Sequence, residues 1–505
     1  MRYISQARQF NQSDIDDMAC RAATGLHTLG IEESDAVALL MVNEIEILVC
    51  NQALAMLGAY PVPISWHSSV DELAYITSDA QVKAVIAHDV LAVAAAQAIP
   101  THMPLVIVDL PPETAAPMHL DTSPTAPNRT YVAWSDWMDG QEPWKGDTRP
   151  PRPAIIYTSG TTGRPKGVVR EAHASSEAQQ AQARNVAKVW GVSPGMRTLL
   201  MAPLYHSAPS AYIRATIGTG GPVGEIHFLP RFDAEEALRI ISSAGITHMW
   251  MVPTMFVRLL DLPLEVRQRY DVSSVQNIIH SGAPCPVGIK QDMISWFGPV
   301  INEFYGSTEV GPVTYASSAD YLAKPGTVGR VLDGCRVEIV DADGAVLPRG
   351  EVGEIAAANG TYADFTYHNR GSERDELNSK AGVLLTGDIG VLDDDGYLFI
   401  KDRKKDMVIS GGVNLYPAEV ENVLLQIDNV VDGAAFGLPD PVFGERMVAA
   451  VSLAAPEEGA EGRIIDELKA KLSSVKVPRQ IFVLDDFPRS DAGKVAKNKL
   501  RALVS

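Results

Sequence analysis

An α/β fold of helix-covered parallel sheets, with a small β-rich subdomain and a small α+β C-terminal domain, follows from three features of the sequence. Over roughly the first 300 residues, apolar strand-like runs alternate with helical periodicity, the pattern of parallel strands joined by helical crossovers. From Gly326 to about Phe399 the pattern turns to short alternating strands with Asp-Gly turns at Asp343-Gly344 and Asp395-Gly396. The charged run Lys401-Asp-Arg-Lys-Lys-Asp406 then separates these regions from a last mixed unit. The division expected is an N-terminal domain over 1–402, with its β-rich subdomain at about 326–400, and a C-terminal domain over 403–505.

In chain order, Ser13 reads as an N-cap, and Ile15, Met18, Ala22, Leu26 and Leu29 recur at helical spacing until Gly30. Strands are expected at Ala36 to Val42 and Val82 to Ala87, with helices from Glu44 to Met56 and Asp71 to Asp79. Prolines crowd the stretch from Pro100 to Pro153, which reads as a long irregular connection. Alternation then resumes. Asp233 caps a helix ended by Gly245, Pro253 opens another, and Val275 to His280 forms a strand leading into Ser281-Gly-Ala-Pro-Cys-Pro286. In the last unit Pro417 starts a helix, strands lie near Val430 to Phe436 and Met447 to Leu453, and a helix runs from Gly462 to Leu472.

A chain of 505 residues, 46% hydrophobic and 21% charged, can bury a large core and has the length of roughly three domains. Its 43 Lys+Arg against 62 Asp+Glu leave a net charge of -19, which argues against nucleic acid or an anionic membrane surface as the main partner. The four cysteines, Cys20, Cys50, Cys285 and Cys335, form no Cys-x-x-Cys pair and are expected to be reduced and mostly buried. No apolar signal core opens the chain and no uninterrupted apolar run is long enough to span a bilayer. A cytoplasmic protein without integral membrane association, monomeric or homodimeric, is expected.

Chemistry concentrates in five motifs. Tyr157-Thr158-Ser159-Gly160-Thr161-Thr162-Gly163-Arg-Pro-Lys166-Gly167-Val168 follows an apolar run and gathers three glycines, four hydroxyls and a lysine. Glycines let backbone N–H groups approach a ligand and hydroxyls add donors, so the loop suits a polyphosphate. It is neither Gly-x-x-x-x-Gly-Lys-Ser/Thr nor Gly-x-Gly-x-x-Gly. Tyr305-Gly306-Ser307-Thr308-Glu309 combines a ring that can stack on a base, a hydroxyl for a phosphate oxygen and a carboxylate for Mg²⁺. Thr386-Gly-Asp388 is a turn or a ribose acceptor. Asp402-Arg403 with Gly411-Gly412-Val-Asn414, and Pro488-Arg-Ser-Asp-Ala-Gly493-Lys494, complete the set.

Taken together and in this order, the motifs resemble those of the adenylate-forming superfamily: acyl- and aryl-CoA synthetases, peptide-synthetase adenylation domains and beetle luciferases. The likeness runs from about Ser13 to Lys499. It implies activation of a carboxylic acid with ATP and Mg²⁺ to an acyl-adenylate, releasing pyrophosphate, followed by transfer to a thiol. On that resemblance Thr158 to Lys166 hold the β- and γ-phosphates, Thr308 the α-phosphate and Glu309 the Mg²⁺. Tyr305, Gly306 and Ser307, with the backbone of Gly282, Ala283 and Pro284, bracket the adenine. Asp388 binds the ribose, Arg403 lies near the ribose or phosphate, and Lys494 bridges the carboxylate and α-phosphate. Lys405 matches the hinge about which the small domain turns, bringing Gly411 and Gly412 to a coenzyme A tunnel. His206 matches a position lining the acyl site, the alternative being a packed histidine after a strand.

Pro203-Leu-Tyr-His-Ser-Ala-Pro209 is similar to the acyl-CoA synthetase form, without the aspartate that would pair an amino acid's ammonium, and no carrier segment follows. Free coenzyme A is therefore the expected acceptor. The implied acyl wall, His206, Ser207, Ala211, Val252, Phe304 and Val310, carries no charge when His206 is neutral, which suits a hydrophobic or aromatic acid. Candidates are hydroxycinnamates such as ferulate or coumarate, benzoate-like acids, and medium-chain or branched fatty acids. Phe304 stands where many members carry glycine and argues mildly against a long straight tunnel. A long-chain or steroid side-chain acid, a luciferase-like oxygenase and a silent binding protein are the alternatives. Cys285 and Pro286 depart from the commoner Gly-Gly-Ala-Pro-Leu form.

Overall fold

A computed structural model describes residues 1–118, 130–158, 164–171, 176–219, 224–379, 382–489 and 495–504. The chain forms two compact units: Met1–His280 with Gly360–Glu376, and Ser281–Asn359 with Leu377–Ser505.

The first unit contains a parallel five-stranded sheet in the order Tyr60–Pro63, Ala36–Leu40, Ala84–His88, Leu105–Val108, Val132–Ala133. Ala36–Leu40 is buried at every position, as a strand covered on both faces must be. Leu40, Val62, Val85 and Ile107 pack with Leu73 and Ile76 of the helix Val70–Asp79. Ser69 and Glu72 open that helix with a reciprocal capping box. The irregular connection expected after Pro100 instead supplies two strands of this sheet and the helix Trp134–Asp139. Leu105–Val108 is only four apolar residues among prolines, and its strand identity comes from pairing with Ala84–His88.

A second set of parallel strands in this unit runs Asn277–His280, His248–Met251, Arg197–Leu200, Glu225–Phe228, Arg2–Ser5, with Arg8–Asn11 antiparallel at the edge. The first helix is Gln12–Thr28, and its cap is Asn11 rather than Ser13. Asn11 accepts from Asp14 N–H, whereas the Ser13 hydroxyl is spent on Asn11 itself. Asp233, Gly245 and Pro253 bound their helices as the sequence predicts. At the junction of the two sheets, fully buried Glu44 accepts from Ser5 Oγ at 2.9 Å and Thr114 Oγ1 at 2.5 Å, and pairs with Arg8 at 2.6 Å. A buried carboxylate so surrounded has its lone pairs satisfied.

The second unit carries the antiparallel strands Ile301–Ser307, Gly311–Ala316 and Arg330–Val331, and a four-stranded antiparallel sheet of Cys335–Val340, Gly353–Asn359, Leu384–Leu392 and Leu398–Arg403. A further sheet orders Val413–Leu415, Val408–Ser410, Gly444–Leu453 and Val430–Asp440, with Ile481–Val483 beside Gly444–Leu453. Its core joins Val408, Ala449 and Val451 to Val420 and Leu424 of the helix Pro417–Leu424, and to Ile464 and Leu468 of the helix Ala460–Lys471. The cysteines are free, but only Cys50 is fully buried; Cys20, Cys285 and Cys335 are half-buried. Among the described residues no helix is long and apolar enough to cross a membrane.

Candidate functional site

The glycine- and hydroxyl-rich loop joins two antiparallel strands, Ile156–Thr158 and Lys166–Arg170, rather than a strand and a helix. Thr158 and Lys166 face each other as the last pair before the loop. Ser159, Gly160, Thr161, Thr162 and Gly163 lie outside the described residues. Phe365–Tyr367 pairs with the return strand, and His368 N–H donates to Gly167 O at 2.8 Å. A Cβ at Gly167 would come within 2.9 Å of the Tyr157 ring, so the glycine lets the two strands close.

Lys166 is mostly buried and its Nζ lies 2.5 Å from Glu373 Oε2, with the Tyr367 ring 5.1 Å below. That contact holds the Glu373 carboxyl below the usual carboxylate range. Arg370 lies 3.6 Å from the other Glu373 oxygen and donates to Tyr75 OH, which in turn donates to Pro165 O. Tyr157 OH donates to Asp79 at 2.6 Å. The loop therefore stands on a braced root. Glu373 and Arg370 escaped the sequence reading, since they lie more than two hundred residues from Lys166 in a turn-like run without a motif.

A second cluster forms in the other unit. Tyr305 OH donates to Asp388 Oδ2 at 2.7 Å and lies 3.1 Å from Thr386 Oγ1. Arg403 Nε lies 3.5 Å from the other Asp388 oxygen, the two residues being paired across adjacent strands. Thr386 Oγ1 donates to Ile355 O, so the group is anchored in the four-stranded sheet. Burial, then the nearby Asp388 charge, raises the Tyr305 hydroxyl pKa, so the phenol stays protonated and donates. Three residues singled out separately in the sequence thus meet, and Thr386 joins them. Gly306 sits at a bulge where a Cβ would lie 2.0 Å from Gly311 O. Ser307 Oγ accepts from Val310 N–H, placing Thr308 and Glu309 in the turn between strands, both half-buried.

Gly282 has φ +90, with Ala283 and Pro284 following in an irregular segment. Among the residues assigned to an acyl wall, Phe304 and Val310 are buried in the second unit. In the first unit, His206 and Ser207 stand at the start of the helix Ser207–Thr219, which carries Ala211, and Val252 precedes the helix Pro253–Leu260. Lys405 occupies the turn between Leu398–Arg403 of one sheet and Val408–Ser410 of another. Asp402, buried just before it, accepts from Ala418 N–H at 2.8 Å at the start of Pro417–Leu424. Gly411 and Gly412, at φ +57 and +82, turn the hairpin between Val408–Ser410 and Val413–Leu415. Gly411 borders a groove of about 210 Å³ lined by Val413, Phe443, Val475 and Arg479. Lys494 lies outside the described residues.

A braced loop root with Thr158 and Lys166, and a separate Tyr305–Asp388–Arg403 cluster, are groups that a nucleotide-using enzyme can employ. Residues 2–363 match the model of the AMP-binding enzyme family, and residues 419–494 match the AMP-binding enzyme C-terminal domain. The chain belongs to the AMP-binding enzyme family, as an AMP-forming ligase of the acyl/aryl-CoA synthetase class. It is 30% identical over 497 residues to the long-chain-fatty-acid–CoA ligase FadD13 of Mycobacterium tuberculosis, covering 98% of this chain and 93% of that protein. It is 29% identical to the indoleacetate–CoA ligase of Aromatoleum aromaticum over 99% of this chain and 94% of the other. The Bacillus subtilis o-succinylbenzoate CoA synthetase MenE, in complex with its acyl-adenylate intermediate, superposes with a TM-score of 0.79 at 25% identity, covering 99% of this chain and 94% of that one.

Proposed function

We propose that the protein activates a hydrophobic aryl or medium-chain acid with ATP and passes the acyl group to coenzyme A. The observation that carries this reading is the Tyr305–Asp388–Arg403 cluster. It sets an aromatic face, a hydroxyl-accepting carboxylate and a cation together, the complement of a nucleoside monophosphate. Thr158 and Lys166, with the loop between them, take the β- and γ-phosphates; Lys166 must leave Glu373 to do so. Thr308 takes an α-phosphate oxygen. Magnesium fits Glu309 as a single hard oxygen donor, the remaining ligands coming from phosphate and water, and no cluster of three metal-binding side chains occurs among the described residues. Bound there, it would neutralise phosphate charge.

The acid's carboxylate oxygen attacks the α-phosphorus and pyrophosphate leaves. The thiol sulfur then attacks the acyl carbon and AMP leaves. Both steps depend on positioning and on charge stabilisation at the α-phosphate. Lys494 is assigned to the first step alone. The Gly411–Gly412 hairpin, with its apolar groove and Arg479, is assigned to the pantetheine arm in the second, after rotation about Lys405.

The residues matched in sequence to the acyl site, Phe304, Val310, Val252 and Ala211, are all uncharged, which supports an apolar acid, and ring bulk at Phe304 favours hydroxycinnamate, benzoate-like, medium-chain or branched acids over long straight chains. A pyrophosphate-release screen over aryl and aliphatic acids, with and without coenzyme A, tests both assignments. Release with these acids and thioester formation with coenzyme A are expected. Oxygen uptake or light without coenzyme A would favour an oxygenase, and silence with every acid a binding protein. Lys494→Ala should abolish pyrophosphate release while leaving thioester formation from preformed adenylate; equal loss of both sinks its role.

A further inference from the structure

Asn43 lies between the strand Ala36–Leu40 and the helix Ile45–Leu57, and is 3% exposed. Its Nδ2 donates to Ala202 O at 2.7 Å and its Oδ1 accepts from Leu204 N–H at 2.9 Å. These two groups flank Pro203, which has no N–H of its own. Ala202 and Leu204 are buried, so the carboxamide serves backbone groups that water does not reach. One planar amide engaging both sides of a proline sets the position and the tilt of the segment together.

That segment leads directly to His206. Its N–H donates to Pro203 O at 3.2 Å, and its own carbonyl accepts from Ser210 N–H at 3.2 Å in the first turn of Ser207–Thr219. The clamp is therefore one tight turn from the imidazole and the helix bearing Ser207 and Ala211. Its base is rigid, because the next residue is Glu44, tied to Ser5, Thr114 and Arg8. Asn43 thus transmits a fixed point of one sheet to a loop leaving another, across 159 residues.

We propose that Asn43 is a positioning residue for the acid site: it holds Ala202–His206 so that His206 and the start of its helix line the path of the acyl group. The inference rests on the assignment of His206 to the acyl wall. A carboxamide makes both bonds; a leucine of similar size fills the space and makes neither.

The test compares Asn43→Ala, Asn43→Asp, His206→Ala and the Asn43→Ala/His206→Ala pair in pyrophosphate release, varying acid and ATP separately. Asn43→Asp keeps the acceptor for Leu204 N–H and the side-chain size, and so covers the case in which the alanine variant does not fold. Both Asn43 variants are expected to lower kcat/KM for the acid roughly tenfold to a hundredfold, with KM for ATP unchanged. In the His206→Ala background, Asn43→Ala should add less than about a twofold loss, because the two act through one group. Effects that multiply, or equal losses for acid and ATP, overturn the positioning role alone. If His206→Ala leaves the acid kinetics unchanged, the His206 assignment falls and takes the proposal with it.

Discussion

Lys166 does not wait free for phosphate; it is held by Glu373 at 2.5 Å, with Arg370 on the far side of the same carboxylate. On the proposed role, binding of a polyphosphate would exchange one anion for another rather than create an ion pair from solvent. Glu373→Gln removes the competitor's charge while keeping its shape. A fall in KM for ATP of about two- to fivefold is expected, the scale of a partly exposed ion pair. A rise would mean that Glu373 aims the lysine instead of restraining it. Tyr305 is the complementary case: its hydroxyl donates to the Asp388 carboxylate. Tyr305→Phe removes a hydrogen bond to a charged group, about 1.5–3 kcal/mol, and should raise KM for ATP roughly tenfold or more. An unchanged KM would remove the hydroxyl from nucleotide binding.

Among the elements, the helix Val287–Phe297 and the strand Ile301–Ser307 are joined by a buried ion pair, Lys290 Nζ to Glu303 Oε2 at 2.6 Å. The Lys290 ammonium also stands 4.0 Å over the Tyr321 ring. Burial raises the Glu303 pKa, which its bond to Lys290 offsets in part. Lys290→Met strands a buried carboxylate and should cost about 3–5 kcal/mol, whereas Lys290→Met with Glu303→Leu should recover most of it. Urea midpoints of the two variants measure this; equal midpoints would mean the pair is hydrated rather than buried. Element ends were legible where their signal is local, as at Asp233, Gly245, Pro253 and Pro417. Leu105–Val108 was not, because four residues between prolines carry no period and become a strand only against a partner.

For the molecule as a whole, His88 couples folding to pH. It is fully buried, its Nδ1 accepts from Val42 N–H at 3.1 Å, and burial pushes its pKa down from 6.5 to about 4. The unfolded chain binds a proton at this site in that window and the folded chain does not, so stability falls as pH drops from 6.5 toward 4. The loss amounts to about 3 kcal/mol. Thermal midpoints taken across this range should decline in the wild type and decline less in His88→Gln. Parallel curves would place the acid sensitivity elsewhere.

By itself the sequence determined the family, the order of the five motifs and the apolar character of the expected acyl wall. Motifs and helix caps depend on residues a few positions apart, so they can be read along the chain. Tertiary structure alone decided which groups meet: Tyr305 with Asp388 and Arg403, Lys166 with Glu373, Asn43 with both sides of Pro203. It also decided that the strands on either side of the glycine-rich loop pair antiparallel and that Phe365–Tyr367 pairs with the second of them. Such pairings span some fifteen to more than two hundred residues. They are set by strand order and burial, for which no local spacing of residue types is a record.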